Sequence, residues 1–192
     1  MSRNYIDADK LSGMQKEVWD IALSKGWHDE PISHEQYLGL IVTEASEAVE
    51  ADRNGRRAET EEFKGALTFG KGDGYFKACY KDYIKGSVEE EFADIIIRLL
   101  DMAQGIFGNN MDWIGSNTHA EQFCPEKKFI ETFWQFVKDV LGWESMRIAD
   151  AVAFVYAWAE HLGIKPETLD THICWKMRYN KLRPYKHGGK KY

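Results

Sequence analysis

The chain has 192 residues, 44% of them hydrophobic, which is enough for a sizeable core in one globular domain. Its formal net charge of −6 is unevenly spread: seven of the 25 basic residues fall in 176–192 with no acid among them, so the rest carries 18 basic against 31 acidic side chains. An acidic body argues against a general nucleic-acid binder, whose basic footprint would dominate, and the basic end reads as a local anion site or a solvated tail.

No apolar run approaches the roughly 18 residues of a membrane span. The longest, 151–159, is bounded by Asp150 and Glu160. Met1, Ser2 and Arg3, followed by Asp7 and Asp9, lack the apolar stretch of a signal peptide. Cys79, Cys124 and Cys174 form no C-x-x-C pair. A cytoplasmic protein without a disulfide framework or structural zinc is therefore the expectation, with neither membrane nor nucleic acid as a partner.

Helical periodicity dominates the chain. Leu11, Met14, Val18, Ile21 and Ala22 recur at three- and four-residue steps and predict an amphipathic helix over residues 9–25, stopped by Gly26. Ser33 with Gln36 forms a capping box for a helix over 34–53, which Asn54-Gly55 ends. Residues 55–86 read as an insertion, a loop with one short helix, because five glycines fall between Gly65 and Gly86. Ser87 with Glu90 opens a third helix through Ile95, Leu99 and Met102 to about Phe107. Residues 108–125 are polar and loop-like, whereas 126–141 and 144–162 are helical and rich in aromatics. Pro166 opens a last helix that Pro184 must end. No segment shows sustained strand alternation. The expected class is all-α, a helical bundle forming one domain over 1–192.

The informative feature is where acids sit on the second and third helices. At about 100° per residue, Glu44 and Glu47 lie on one face, beside Tyr37, Leu40, Ile41, Ala48 and Ala51. That is the face expected to pack. Glu91 and Asp94 repeat the three-residue step on the next helix, bordered by Val88, Ile95 and Met102. Unpaired ionised carboxylates aimed into a bundle are expensive, and four of them converging require cations between them. Hard divalent cations answer that need: Mg²⁺ is the usual choice where phosphates complete its shell, with Mn²⁺ as a substitute. Glu50, Glu89, Glu90 and Asp101 read as solvent-facing. A di-iron bundle is excluded, because it needs Glu-x-x-His twice and the residues three before the six histidines are Lys25, Pro31, Ser116, Trp158, Leu169 and Pro184.

The basic end supplies a complement. Lys176, Asn180 and Arg183 fall at i, i+4 and i+7 along one stripe of the last helix: a point charge, an amide donor and a fork, suited to consecutive phosphates. Trp27 and His28 stand after the first helix, either to stack on a nucleobase or to close the end of the bundle. Residues 65–71 match most of a P-loop, but Gly72 stands where Ser or Thr should hold Mg²⁺ and no strand precedes them, so that reading is set aside.

E-x-x-E (Glu44, Glu47), E-x-x-D (Glu91, Asp94) and K-x-x-x-N-x-x-R (Lys176, Asn180, Arg183) together resemble the all-α nucleoside triphosphate pyrophosphohydrolases, the superfamily of MazG, dimeric dUTPases and dCTP pyrophosphatases. LIVTEASEAVEADRNG is similar to the family's second helix, EEFADIIIRLLDMA to its third, and HLGIKPETLDTHICWKMRYNKLRPYKHGGKK to the closing helix and basic tail of the MazG-like branch. The likeness covers residues 14–55, 87–105 and 158–191. The chain departs from the compact MazG-like pattern in two insertions, about 55–86 and 105–156, the second carrying Trp113, Trp134 and Trp143. Neither disturbs the acidic pairs, and both bear on substrate choice and assembly.

The resemblance implies Mg²⁺-dependent hydrolysis of a (d)NTP to its monophosphate and pyrophosphate, in a homodimer or higher homo-oligomer. Glu44, Glu47, Glu91 and Asp94 would hold metal, with Glu44 or Glu47 doubling as base. Lys176, Asn180 and Arg183 would bind phosphates, and Trp27 and His28 would stand on the base side. The rivals are a phosphoribosyl-ATP pyrophosphohydrolase-like enzyme and a non-catalytic helical nucleotide-sensing module.

Overall fold

The computed structural model describes residues 7–110, 128–141 and 147–189. It is all-helical, with no strand among the described residues. The elements in chain order are α1 (Ala8–Ser24), α2 (His34–Arg53), α3 (Thr60–Phe69), α4 (Asp73–Tyr83), α5 (Val88–Phe107), α6 (Phe129–Gln135), a π turn (Phe136–Leu141), α7 (Ile148–His161), α8 (Pro166–Lys181) and one irregular turn, α9 (Lys186–Gly189). None of these helices is long and apolar enough to cross a membrane.

Capping residues set the helix starts. Asp7 accepts from the Lys10 amide at 3.0 Å, Ser33 from Gln36 at 3.2 Å and Ser87 from Glu90 at 3.2 Å. Each satisfies one amide that the first turn leaves without a carbonyl. α8 instead begins on Pro166, whose fixed φ suits a first turn and whose missing N–H costs nothing there.

α5 is the axis of the molecule, packed against α1, α2, α7 and α8. It buries side chains around most of its circumference, from Val88, Phe92 and Ile95 to Leu99, Leu100 and Ala103. α2 contributes Tyr37, Ile41, Ala45, Ala48 and Ala51, and the three alanines let its backbone lie close to α5. α7 is apolar nearly all round and seals the opposite side, with Phe92, Phe136, Phe154 and Trp158 packed ring against ring.

Two expectations need correction here. Residues 55–86 form two helices, α3 and α4, rather than a loop with one. Gly65 and Gly74 each cost a helix about 1 kcal/mol relative to Ala. That cost is outweighed by a second small core in which Phe63, Phe76, Tyr80 and Ile84 meet Tyr179 and Trp175 of α8. The expected helix over 126–141 is described from Phe129 onward and widens into the π turn at Phe136. The expected loop over 108–125 and the residues Trp113 and Trp143 lie almost wholly outside the described residues. Trp134 is 55% exposed, with its ring edge against Phe133.

The chain end returns to the front of the bundle. The Tyr185 ring covers Gly26, whose positive φ of 76° and missing Cβ admit it. The Tyr185 hydroxyl donates to Asp29, and the Lys186 amide to the Lys25 carbonyl at 2.9 Å. This closure places His187 beside Trp27.

Candidate metal and phosphate site

α1, α2, α5 and α8 enclose a cavity of about 500 Å³. Its wall carries Glu44 and Glu47 from α2, Glu90, Glu91, Asp94, Arg98 and Asp101 from α5, and Lys176 and Asn180 from α8, with Arg183 just beyond. Trp27, Lys85 and His187 complete the polar lining, and Val18, Ile21, Leu40 and Ile97 supply apolar walls.

The stripe on α5 follows from helical geometry. Steps of three, four and three residues separate Glu91, Asp94, Arg98 and Asp101, which holds all four on one face. α2 runs antiparallel alongside, so Glu44 comes level with Asp94. One oxygen each from Glu44, Glu91 and Asp94 falls within 4.8 Å of the others. An octahedral Mg²⁺ with oxygen ligands about 2.1 Å away spans at most about 4.2 Å between opposite ligands, so small side-chain rotations bring these oxygens onto one ion. The donor set, three hard carboxylates, suits Mg²⁺ or Mn²⁺.

The acids are balanced unevenly. Glu44 is 12% exposed and accepts from Arg98 Nε at 2.9 Å. Asp94 and Glu90 share Lys176, whose Nζ lies 2.5 Å from each. Glu90 also accepts from the Tyr80 hydroxyl at 3.2 Å and from the Gly86 amide. The carboxyl of Glu91 has no hydrogen-bond partner among the described residues. Burial, aided by the charges of Asp94 and Glu90, lifts its pKa to about 9, and Lys176 only partly offsets them. Asp94 is also raised, by burial first and against the pull of Lys176, with Glu44 and Glu90 adding to the rise. Lys176 is held charged: burial works against it, but Asp94 and Glu90 outweigh that. The site is thus short of positive charge near Glu91, where a divalent cation would replace a proton.

Of the sequence-predicted residues, Glu44, Glu91 and Asp94 come together, and Glu47 does not join them. Glu47 is exposed at the cavity mouth rather than on the packed face, because the buried stripe of α2 runs through Ala45 and Ala48. Lys176 lies deeper than a free phosphate grip, tied between two carboxylates. Asn180 and Arg183 line the cavity. The Asn180 Oδ1 is buried without a partner, and the Arg183 side chain makes no ion pair among the described residues. Trp27 lines the cavity, edge-on to His187 with centroids 4.9 Å apart. His28 instead stacks on Trp19 at 3.8 Å and bonds Asp101, Nε2 to Oδ1, at 2.8 Å.

Sequence reasoning misread three acids as solvent-facing: Glu89, Glu90 and Asp101 are buried. Glu89 accepts from the Ala58 amide at 2.9 Å, tying the insertion to α5. Arg98 was not anticipated, although the one cation in a stripe of acids, four residues after Asp94, signals it. Glu50, in contrast, is exposed as expected and paired with Arg53.

Compared with known proteins, the chain matches no family model, no curated protein and no solved structure.

Proposed function

We propose that the protein is a divalent-cation-dependent nucleotide pyrophosphohydrolase, cleaving a (d)NTP to the monophosphate and pyrophosphate. One observation carries the reading: a carboxylate triad and two cations that make no ion pair among the described residues, Arg183 and Lys85, line one cavity of nucleotide size. A triphosphate of charge near −4 is repelled by acids alone and attracted where cations stand among them.

Mg²⁺ held by Glu44, Glu91 and Asp94 would neutralise them, orient the phosphates and polarise the phosphorus under attack. The chain's own residues do the rest. Arg183 and Lys85 neutralise the outer phosphates and Asn180 orients them. Glu47, unpaired at the mouth, takes the proton of the attacking water. The water oxygen bonds to the α-phosphorus as the bond from that phosphorus to the bridging oxygen breaks, and pyrophosphate leaves with the electron pair. Exposed Ile106 and Phe107 at the end of α5, with Ile130 and Trp134 on α6, are apolar side chains that a second copy would cover, in keeping with a homo-oligomer.

The double ion pair of Lys176 favours a second reading, a non-catalytic nucleotide sensor in which that ammonium replaces a metal. Nucleoside triphosphates incubated with and without Mg²⁺ and scored for pyrophosphate test both. Pyrophosphate with monophosphate, only when Mg²⁺ is present, supports the enzyme. Orthophosphate release contradicts the cleavage position, and nucleotide-dependent thermal stabilisation without product favours the sensor.

A further inference from the structure

The cavity has two chemically different ends. Glu44, Glu91 and Asp94 gather at one. The other, toward the C-terminal half of α5, has the aliphatic walls Val18, Ile21, Leu40 and Ile97 and a single buried carboxylate, Asp101. Asp94 and Asp101 stand seven residues apart on one face, about 10 Å along the helix axis. That is comparable to the span from the α-phosphate of a nucleotide to the far edge of its base.

Asp101 is built in rather than solvated. His28 Nε2 lies 2.8 Å from its Oδ1, and the His28 ring is clamped by stacking on Trp19. Oδ2 has no hydrogen-bond partner among the described residues. Arg98, one turn back, gives its Nε to Glu44 and acts on Asp101 through its charge alone. A buried carboxylate held in place by His28 offers acceptor oxygens and, when ionised, no donor. It favours a donor and repels carbonyl oxygens.

We propose that Asp101 is a base-selecting residue, which accepts a hydrogen bond from the exocyclic amino group of cytosine, guanine or adenine and disfavours uracil, thymine and hypoxanthine. The aliphatic walls enclose the ring faces, and His28 positions Asp101 without touching the base. Uracil and thymine offer one ring N–H flanked by two carbonyls, so at least one oxygen opposes the carboxylate. Cytosine offers its amino group on the same edge. This assignment rests on the pyrophosphohydrolase reading for its substrate class.

The test compares nucleotide pairs that differ only in the amino group, dCTP with dUTP and dGTP with dITP, on wild-type protein and on Asp101→Asn. An amide still accepts from His28 and can turn its NH₂ toward a carbonyl. The wild type should favour the amino member of each pair by about tenfold or more in kcat/KM, since an unmatched buried acceptor is costly. Asp101→Asn should shrink both ratios toward one, the amino members losing more kcat/KM than their partners. Equal ratios in the wild type, or an unchanged preference in the variant, overturn the proposal. If no nucleotide is turned over, the pyrophosphohydrolase reading fails, and thermal stabilisation by the same pairs still decides this one: greater protection by the amino members supports it and equal protection refutes it.

Discussion

Lys176 Nζ lies 2.5 Å from Asp94 Oδ2 and the same distance from Glu90 Oε1, so one buried ammonium holds two carboxylates of the central helix. The cation comes from α8 and the acids from α5, and their pairing fixes the register of these helices at the cavity floor. Removing one partner of such a buried pair typically costs about 3–5 kcal/mol. Lys176→Met should therefore lower the metal-free melting temperature markedly. Because the acids then lack their internal cation, Mg²⁺ should restore more stability to the variant than it adds to the wild type. Melting curves with and without MgCl₂ read both effects, and an unchanged metal-free transition would remove Lys176 from this role.

Glu91 sets a pH signature. Its carboxyl is lifted from the ordinary 4.5 to about 9, so the folded protein holds a proton that the unfolded chain releases. Stability from that proton is fully present below the unfolded value and is lost as pH rises through the folded one. His172, pushed down to about 4 by burial, works with the opposite sign, its contribution being lost as pH falls from about 6.5. Between pH 7 and 9 the Glu91 slope stands alone of the two. Metal-free stability should fall there by up to about 1.4 kcal/mol per pH unit. A divalent cation replaces the proton, so saturating Mg²⁺ should flatten the decline. Denaturant midpoints across that window, with chelator and with Mg²⁺, make the comparison.

Glu44 and Glu47 are three residues apart yet differ in setting, one within the carboxylate triad and one exposed at the mouth. Glu44→Gln and Asp94→Asn should abolish turnover and reduce the Mg²⁺-induced rise in melting temperature, with far-ultraviolet dichroism showing helical content intact. Glu47→Gln should lose turnover while keeping the Mg²⁺ response. A Glu47→Gln enzyme at full rate would return the role of base to Glu44.

The local signals carried much of the architecture. Ser33, Ser87 and Pro166 mark helix starts because capping is decided within four residues, and helical phase, which is local, brings Glu44, Glu91 and Asp94 together although Glu47 of the same step falls outside. The neighbours of α5 were not legible in the same way. Whether Glu90 and Asp101 face water depends on α8 and on the turn after α1, supplied from 86 residues away for Lys176 and 73 for His28. No wheel drawn on a single helix contains that. The glycines of 55–86 likewise argued for a loop, and only the aromatic packing of Phe63, Phe76 and Tyr80 on α8 explains why helices form there.

That packing has a measurable consequence. Phe63 is fully buried, with its ring 4.7 Å from that of Trp175 and 5.7 Å from that of Phe76. Phe63→Ala should cost about 3–5 kcal/mol, read as a shift in urea midpoint. A loss below about 1 kcal/mol would mean that the small core adds little and that α3 and α4 lean loosely on α8.

The most direct measurement is Mn²⁺ binding followed by electron paramagnetic resonance, since the sharp signal of the hydrated ion fades when carboxylates take it up. Wild-type protein titrated with Mn²⁺ should remove that signal saturably, Mg²⁺ should restore it by competition, and Glu91→Gln should leave most of the ion free. An undiminished signal with the wild type, in the presence and absence of nucleotide, would contradict the metal centre on which the proposed hydrolysis rests.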